Sequence, residues 1–259
     1  MNLKIKKILL KKNKCKIVSL TAYSKSIAKI LDKHVDIILV GDSMANVLYG
    51  HKNTHKMSLE NIIQHTLSVK MGVKKSLLVV DMPKGTYNNI KHALKNVKLV
   101  FKKTRCEAVK LENYKKNHKI IEALVKKKIP VMGHIGYTPQ FKKKFKIAGQ
   151  TKSEVNKLLQ EAKLIERAGA FSIVLECLSP SSARLITSEL NIPTIGIGSS
   201  SRCDGQILVT DDMLGISGFY PKFVKKYVKL DGIIEKAVQK YTREVKSKKF
   251  PTIKNNLNG

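Results

Sequence analysis

The sequence predicts an α/β protein built as a closed (β/α)₈ barrel, the TIM barrel fold. Eight short apolar runs alternate with helix-compatible segments, and the chain of 259 residues has the length of one such barrel, which needs roughly 250 residues. Because the runs are apolar almost throughout, they indicate a parallel sheet covered on both faces. Eight strands favour closure over an open doubly wound sheet, which usually has fewer.

Each predicted strand is a short run rich in Val, Ile and Leu that ends at a polar or turn-forming residue. In chain order the eight runs occupy residues 15–22, 36–40, 76–81, 107–112, 130–134, 171–176, 193–198 and 206–211.

Amphipathic segments between and after the strands predict helices at 58–72, 89–104, 117–128, 153–169 and 231–249. Ser58 and Asn61 are suited to cap the start of the first of these helices. Gly72 is suited to end it, and Gly169 to end the fourth.

The sequence predicts one barrel domain over residues 1–259, with a frayed tail from about residue 250. Neither G-x-G-x-x-G nor G-x-x-x-x-G-K-[ST] occurs, so a nucleotide-binding fold lacks its main signature. No apolar run approaches the roughly 18 residues of a membrane span, and the lysine-rich start does not have the pattern of a secretion signal. The four cysteines show no metal-type spacing. We therefore expect a cytoplasmic protein without a membrane partner.

The formal charge of +31 invites a nucleic-acid function, but the distribution of charge argues against it. Only five of the 50 basic residues are arginine, the side chain best suited to phosphate and base recognition, and the lysines are spread over the whole chain without interleaved aromatic residues. Codon drift in an AT-rich genome explains the excess of Lys, Asn and Ile. The expectation is no specific nucleic-acid partner, with only weak, salt-sensitive and sequence-blind DNA binding.

Polar and charged side chains stand where the predicted strands end. In a barrel of this type the catalytic groups lie at the C-terminal ends of the strands. The groups at these ends are Asp42 with Ser43, Asp81, Lys110 with Glu112, His134 and Glu176. The sequence therefore predicts an active site made of four carboxylates, a lysine and a histidine.

Two of these carboxylates, Asp42 and Asp81, suggest a Mg²⁺ site, because Mg²⁺ prefers oxygen ligands and keeps substrate oxygens and waters in its other positions. Taken singly, each is equally typical of a turn or helix cap. Lys110 and Glu112 are two residues apart on one strand, so they share a face. They are suited to hold an anionic substrate and a metal-bound water, or to pair with each other.

The remaining groups suggest proton transfer. Glu176 follows a wholly apolar or small run, so burial should raise its pKa toward the range of a general base; an ion-pair partner is the alternative. His134 could bond substrate, bond a ligand carboxylate or be structural.

Cys177, next to Glu176, should face the opposite way and belong to the core. The basic segment 141–152 is either a lid over an anionic ligand or a solvated loop.

Ordered blocks over residues 10–245 resemble the ketopantoate hydroxymethyltransferase family. The blocks are TAYSKSIAKI, VGDSMANVLYGH, VVDMP, AVKLE, GHIGYTPQ, VLEC, IPTIGIG, DGQILV and YPKFVKKY. The resemblance implies a barrel of the phosphoenolpyruvate/pyruvate-binding type, a homodecamer, and hydroxymethyl transfer from 5,10-methylenetetrahydrofolate to 3-methyl-2-oxobutanoate in pantothenate synthesis.

The resemblance also implies roles for the strand-end residues. Asp42 and Asp81 would bind Mg²⁺ with Glu112 assisting, and Glu176 would be the proton acceptor. The groups implied to contact the keto acid are Asp42, Ser43, Asp81 and Lys110, to which His134 is added from its place at the strand end. Two alternatives stay open at this point: a folate-independent Mg²⁺-dependent lyase or mutase acting on a 2-oxo acid, and a catalytically dead barrel that binds nucleic acid.

The chain departs from the family pattern at several positions around the expected site. Asn113 and Tyr114 stand in place of Gly-Gly, and Lys84 stands in place of an aromatic residue. Ser199 and Ser200 follow GIG where the pattern has Ala-Gly, and the loop after Gln140 is shorter and more basic. None of these changes removes a predicted catalytic group.

Overall fold

A computed structural model describes residues 2–115, 117–142, 145–218 and 220–255. Internal contacts divide the chain into two compact units, Met1–Thr210 and Asp211–Gly259, and each is described by itself. The first unit contains the barrel.

Eight parallel strands close into a barrel in the order in which they occur along the chain, which confirms the predicted fold class. Neighbouring strands pair all the way round, and the last strand pairs with the first. The strands are β1 (Ile17–Thr21), β2 (Ile37–Val40), β3 (Leu77–Asp81), β4 (Ala108–Glu112), β5 (Val131–Gly136), β6 (Ser172–Glu176), β7 (Thr194–Ile197) and β8 (Gly205–Leu208). The predicted end of the eighth strand, at residue 211, is wrong: Thr210 already begins a helix.

The interior of the barrel is apolar at the end where the strands begin. Alternate residues of each strand point inward, and at this end those residues are apolar. One buried cluster is formed by strand residues such as Ile37, Leu77 and Met132. Ile5 and Ile8 of an N-terminal helix belong to the same cluster. This helix therefore covers the end of the barrel at which the strands begin.

The N-terminal helix is a finding that the sequence patterns did not predict, since the start of the chain has only a short apolar patch between lysines. The helix, α1 (Leu3–Leu9), begins after Asn2, whose side chain caps it. Lys4 binds the carboxylate of Glu107 at 2.8 Å, and Lys12 binds that of Asp204 at 2.8 Å. Part of the lysine excess thus has a structural role at this end of the barrel.

The helices that follow the strands pack a second, larger apolar cluster against the outside of the barrel. Ser58 caps the first predicted helix through the backbone N–H of Asn61, as expected, and Gly169 has a left-handed φ of +87° just after the fourth. The helices after α1 are α2 (Lys25–Leu31), α3 (Met44–Val47), α4 (Leu59–Lys70), α5 (Ile90–Thr104), α6 (His118–Lys126), α7 (Lys152–Arg167), α8 (Pro180–Glu189), α9 (Thr210–Leu214) and α10 (Leu230–Lys246).

The five predicted helices all exist, as α4, α5, α6, α7 and α10. The segment that forms α8 was not predicted. Its start has Ser179 as cap and Pro180 in the first turn, a combination that favours a helix start.

Within the unit 211–259, Tyr227 donates its backbone N–H to Met213, and Tyr241 packs edge-on against Phe250. The single-domain assignment of residues 1–259 and the frayed tail from about residue 250 stay predictions; residues 256–259 lie outside the described residues. In the described part of the chain, no helix is both long and apolar enough to cross a membrane.

Candidate active site

Strand register brings the predicted residues together at one end of the barrel. The Cα atoms of Asp81 and Lys110 are partners across β3 and β4, and those of Glu112 and His134 across β4 and β5. Glu176 is paired with Gly136 across β5 and β6. These residues follow the same alternation as the inward-facing apolar residues before them on each strand. They therefore form a buried polar layer inside the barrel, at the end where the strands finish.

Asp81 and Lys110 form a buried ion pair. The Lys110 Nζ lies 2.7 Å and 3.0 Å from the two carboxylate oxygens of Asp81. Burial lowers the pKa of Lys110, but the negative charges of Asp81, Asp42 and Glu112 outweigh this effect and raise it overall. The ammonium therefore stays charged. Lys110 pairs with Asp81 on the neighbouring strand and not, as one reading of the spacing allowed, with Glu112.

Asp42 lies next to this pair, just after β2. Its backbone N–H approaches a carboxylate oxygen of Asp81 at 3.4 Å, and its own carboxylate accepts a hydrogen bond from the Gln140 side chain at 2.8 Å. Burial and, after it, the charge of Asp81 raise the pKa of Asp42 to about 7, against the opposing effects of Lys110 and Gln140. Two carboxylates thus share a buried site that contains one fixed positive charge.

Glu112 and His134 contribute polar atoms that lack partners. Glu112 Oε2 accepts the backbone N–H of Gln140 at 3.1 Å. Among the residues that the structure describes, Glu112 Oε1 and both ring nitrogens of His134 have no hydrogen-bond partner of good geometry. Both side chains are at most 1% exposed. Because unpaired buried polar atoms are costly, these atoms indicate a place where a ligand completes the bonding.

Glu176 faces one ring nitrogen of His134, and Glu112 faces the other. The His134 Nε2 is 3.2 Å from Glu176 Oε2. Burial raises the pKa of Glu176 to about 7, against the lowering effect of the Lys110 charge, whereas burial and Lys110 hold the pKa of His134 well below its usual range. The imidazole is therefore neutral beside a carboxylate that titrates near neutrality. Glu176 is 19% exposed and Asp81 3%, so solvent reaches Glu176 more readily.

Gly136 is required for this placement of Glu176. It has φ of +97°, and a side chain at this position would clash with the backbone carbonyl of Glu176. Tyr137 then donates its backbone N–H to that carbonyl at 2.8 Å. The glycine thus lets the loop after β5 cross the end of β6.

Ser43 and Cys177 flank the buried carboxylates in the sequence. Ser43 precedes α3, and its hydroxyl lies 2.9 Å from the Tyr23 hydroxyl. Cys177 is 1% exposed, and burial raises the pKa of its thiol to about 12. The prediction that Cys177 belongs to the core is confirmed.

Gln140 is the residue of the site to which sequence reasoning gave no role. Its side-chain amide donates to Asp42 and, at 3.0 Å, to the carbonyl of Met82, while its amide oxygen accepts the Tyr87 hydroxyl. With the backbone bond to Glu112, it joins residues at the ends of β2, β3 and β4. Its place in the GHIGYTPQ block was the only available signal, and Tyr87 gave none.

Replacing Gln140 with leucine should lower the free energy of unfolding by about 2 to 4 kcal/mol, because unpaired buried groups cost about 1 to 3 kcal/mol each. The change leaves the Asp42 carboxylate, the Met82 carbonyl and the Tyr87 hydroxyl without this partner. Urea unfolding measures the effect. The matched control is Gln160→Leu, an exposed position on α7. Equal stabilities of the two variants would contradict the role of the Gln140 network.

The donor set fits a hard divalent cation. Asp42 and Asp81 offer only oxygen atoms, and burial followed by the charge of Asp81 raises the pKa of Asp42 in spite of the nearby Lys110. Among the described residues, no three His, Cys, Asp or Glu side chains are placed to hold an ion by themselves. Mg²⁺ fits such a site, because it commonly takes one or two carboxylates and fills its other positions with water and substrate oxygens.

The basic segment 141–152 begins inside the site and ends outside it. Phe141 follows the buried Gln140, and Lys142 donates to the carbonyl of Gly136. Further on, the exposed Lys146 pairs with Glu154 of α7. Lys143 and Lys144 lie outside the described residues. The lid role of this segment stays a prediction.

A family model of ketopantoate hydroxymethyltransferase matches residues 2–253. The chain belongs to this family. The family resemblance seen in the sequence is thus confirmed, and membership makes the chain a one-carbon transferase of pantothenate biosynthesis.

Curated relatives agree with the ketopantoate hydroxymethyltransferase assignment over nearly the full chain. The 3-methyl-2-oxobutanoate hydroxymethyltransferase of Pelagibacter ubique is 52% identical, and the match covers 98% of this chain and 99% of the relative. The enzyme of the same name from Anaplasma marginale is 46% identical over 97% of this chain and 92% of its own.

Solved structures with the same fold come from other families. Phosphonopyruvate hydrolase in complex with oxalate and Mg²⁺ aligns with a TM-score of 0.65 at 10% identity, covering 97% of this chain and 93% of that chain. 2,3-Dimethylmalate lyase, a PEP mutase/isocitrate lyase superfamily member, aligns with a TM-score of 0.62 at 12% identity, covering 98% and 88%. These likenesses show the barrel fold of this hydroxymethyltransferase family member.

Proposed function

We propose that this enzyme transfers a hydroxymethyl group from 5,10-methylenetetrahydrofolate to 3-methyl-2-oxobutanoate, giving 2-dehydropantoate and tetrahydrofolate, with Mg²⁺ at Asp42 and Asp81. The observation that carries the proposal is the pairing of an oxygen-only acidic site with Glu176, a carboxylate whose pKa is about 7. A 2-oxo acid needs both, since its carboxylate and keto oxygens suit a hard cation and its C3 proton needs a base.

The side chains of the buried polar layer bind the keto acid. When bound, Mg²⁺ supplies Lewis-acid charge at the oxygens of the keto acid. Lys110, fixed by Asp81, adds a permanent positive charge beside the anionic substrate. Ser43 and His134 offer hydrogen-bonding groups to the keto acid, and Glu112 assists the two metal ligands.

Glu176 accepts the proton from C3 of the keto acid. A base with a pKa near 7 is about half deprotonated at neutral pH, and this matches the requirement for general base catalysis. The neutral His134 beside it adds no positive charge that would oppose proton uptake. C3 then forms a bond to the methylene carbon of the folate as one of the two C–N bonds of that carbon breaks. Water displaces the second nitrogen and supplies the hydroxyl oxygen of the product. The two folate nitrogens take up the protons released from C3 and from water, and tetrahydrofolate leaves.

The first experiment follows the C3 proton of 3-methyl-2-oxobutanoate by proton NMR in D₂O with Mg²⁺, and then adds 5,10-methylenetetrahydrofolate. The expected result is loss of the C3 signal, followed by folate-dependent formation of 2-dehydropantoate. Product formation from the keto acid without folate would favour the lyase or mutase alternative. No exchange and no product under either condition would contradict the proposed reaction and reopen the nucleic-acid-binding alternative.

We propose also that the enzyme is a cytoplasmic homodecamer. The family resemblance supports the assembly. Light scattering after gel filtration should therefore give ten times the chain mass of 29.1 kDa. A monomeric mass at micromolar concentration would contradict it.

A further inference from the structure

A cleft of about 880 Å³ opens beside the active site, between the loop after β3 and the loop after β4. We call it the tail cleft. Its wall includes three aromatic residues, Tyr87, Tyr114 and Phe141, and two lysines, Lys91 and Lys115. The residues that line it differ from those that bind the keto acid or move its proton.

The aromatic residues of the tail cleft form one continuous apolar surface. The rings of Tyr114 and Phe141 stack in parallel, with centroids 4.5 Å apart and planes 4° apart, and Tyr87 meets Phe141 edge-on at 6.3 Å. Tyr114 is 41% exposed, although it stands where the family pattern has glycine. A solvent-exposed aromatic stack is suited to receive another flat ring.

The charge of the tail cleft is positive. Lys91 and Lys115 line it, and in the described part of the chain neither takes part in an ion pair. Lys115 Nζ lies 5.5 Å from the centre of the Tyr114 ring. None of the described residues that line the cleft is Asp or Glu. A ligand that combines an aromatic ring with carboxylates would therefore satisfy both the ring stack and the lysines.

The inner wall of the tail cleft is shared with the active site. Tyr87 is 2% exposed and donates its hydroxyl hydrogen bond to Gln140, which holds Asp42. Asn117, also on the wall, donates its side-chain amide to the carbonyl of Glu112 at 3.1 Å. The wall of the cleft is thus hydrogen-bonded to the residues that hold the acidic site.

We propose that the tail cleft binds the p-aminobenzoyl-oligoglutamate tail of the folate co-substrate, an inference that rests on the proposed function. The aminobenzoyl ring packs against the stack of Tyr114 and Phe141, and Lys91 and Lys115 bind the glutamyl carboxylates. The folate head group is then free to enter the mouth of the barrel. The chain therefore prefers folates that carry several glutamates.

The experiment measures the Kd of tetrahydrofolate with one and with five glutamates by calorimetry, on the full-length chain with Mg²⁺ and keto acid present. The unmodified chain should bind the pentaglutamate at least about tenfold more tightly, and Lys91→Ala/Lys115→Ala should reduce that preference to less than about threefold. Because a chain of charge +31 attracts any polyanion, measurements at physiological ionic strength screen the exposed charges.

The matched control is Lys98→Ala/Lys119→Ala, which removes two exposed lysines of α5 and α6 that do not line the tail cleft. It should retain the full preference for the pentaglutamate. Equal Kd values for the two folates, or a preference lost equally in both double variants, would overturn the proposal. Tyr114→Ala should weaken binding of the monoglutamate about fivefold, since that ligand retains the aminobenzoyl ring.

Binding and turnover separate this inference from the reaction on which it rests. Turnover with the monoglutamate but no glutamate preference would leave the proposed function intact and reject the tail cleft. A preference that depends on Lys91 and Lys115 without any product would support the cleft as a site for an aryl oligocarboxylate and reject hydroxymethyl transfer.

Discussion

Glu176→Gln is expected to lower the rate of C3 proton exchange in 3-methyl-2-oxobutanoate by about 10³-fold, within the 10²- to 10⁴-fold range of general base catalysis. Glutamine has nearly the same shape but cannot accept the proton. Mg²⁺ and keto-acid binding should be largely kept, because Asp42, Asp81 and Lys110 are unchanged. Proton NMR in D₂O measures exchange, and calorimetry measures binding.

The pH dependence of exchange gives an independent readout of the same residue. Because the base must be deprotonated and the pKa of Glu176 is about 7, the exchange rate should rise tenfold per pH unit below 7 and level off above it. The residual rate of Glu176→Gln should not follow this curve. The control Glu189→Gln makes the same chemical change at an exposed position of α8. A Glu176→Gln rate near that of this control would reject the base assignment.

The stability of Glu176→Gln should change in the direction opposite to its activity. The folded-state pKa of Glu176 lies above the usual glutamate value, so folding is most favourable when the group is protonated. This contribution is lost as the pH rises through about 7. At pH 8 the variant should therefore unfold with a free energy about 1 to 3 kcal/mol higher than the unmodified chain. Urea unfolding at pH 5 and pH 8 measures the difference.

Asp81→Asn is expected to weaken Mg²⁺ binding by more than about tenfold and to lower the free energy of unfolding by about 3 to 5 kcal/mol, the usual cost of breaking a buried pair. The change removes a metal ligand and takes from Lys110 the carboxylate that its ammonium contacts most closely, in a pair whose side chains are at most 7% exposed. Calorimetric titration with Mg²⁺ and urea unfolding without Mg²⁺ separate the two effects.

A double-mutant cycle tests the cause of the instability. Asp81→Asn/Lys110→Met removes both charges, so the double variant should be less destabilised than the sum of the single changes. Lys163→Ala is the comparison at an exposed pair, since Lys163 and Glu189 are 37% and 42% exposed, and it should cost less than about 1 kcal/mol. Additive losses would contradict the buried pair, and an unchanged Kd for Mg²⁺ would contradict the ligand role of Asp81.

The site residues that lie on strands, or directly after them, could be identified from the sequence. Strand alternation has a period of two, so Lys110 and Glu112 had to share a face, and in a parallel barrel the ends of consecutive strands meet at one edge. Asp81 and Glu176 lie at strand ends and Asp42 just beyond one, for the same reason. Local apolar patterning therefore determined both the barrel and the list of charged groups in its mouth.

Contacts between distant segments could not be read in this way. Whether Lys110 would pair with Glu112 or with Asp81 depended on the register of β3 and β4. In the observed register, Asp81 and Lys110 are direct partners on neighbouring strands. Gln140 reaches Asp42 because Gly136 lets its loop cross β6, and Tyr87 reaches Gln140 from another loop. Loop paths are set by packing, and no periodicity in the sequence reports them.

The sequence by itself determined the eight strands, their order and the chemistry at their ends, because these depend on side-chain periodicity and composition within a few residues. The tertiary structure decided what those groups do to one another. Burial and neighbouring charge place the pKa of Asp42 and Glu176 near 7, and loop packing stacks Tyr114 on Phe141 to make the tail cleft. Desolvation and contact arise only when distant parts of the chain meet.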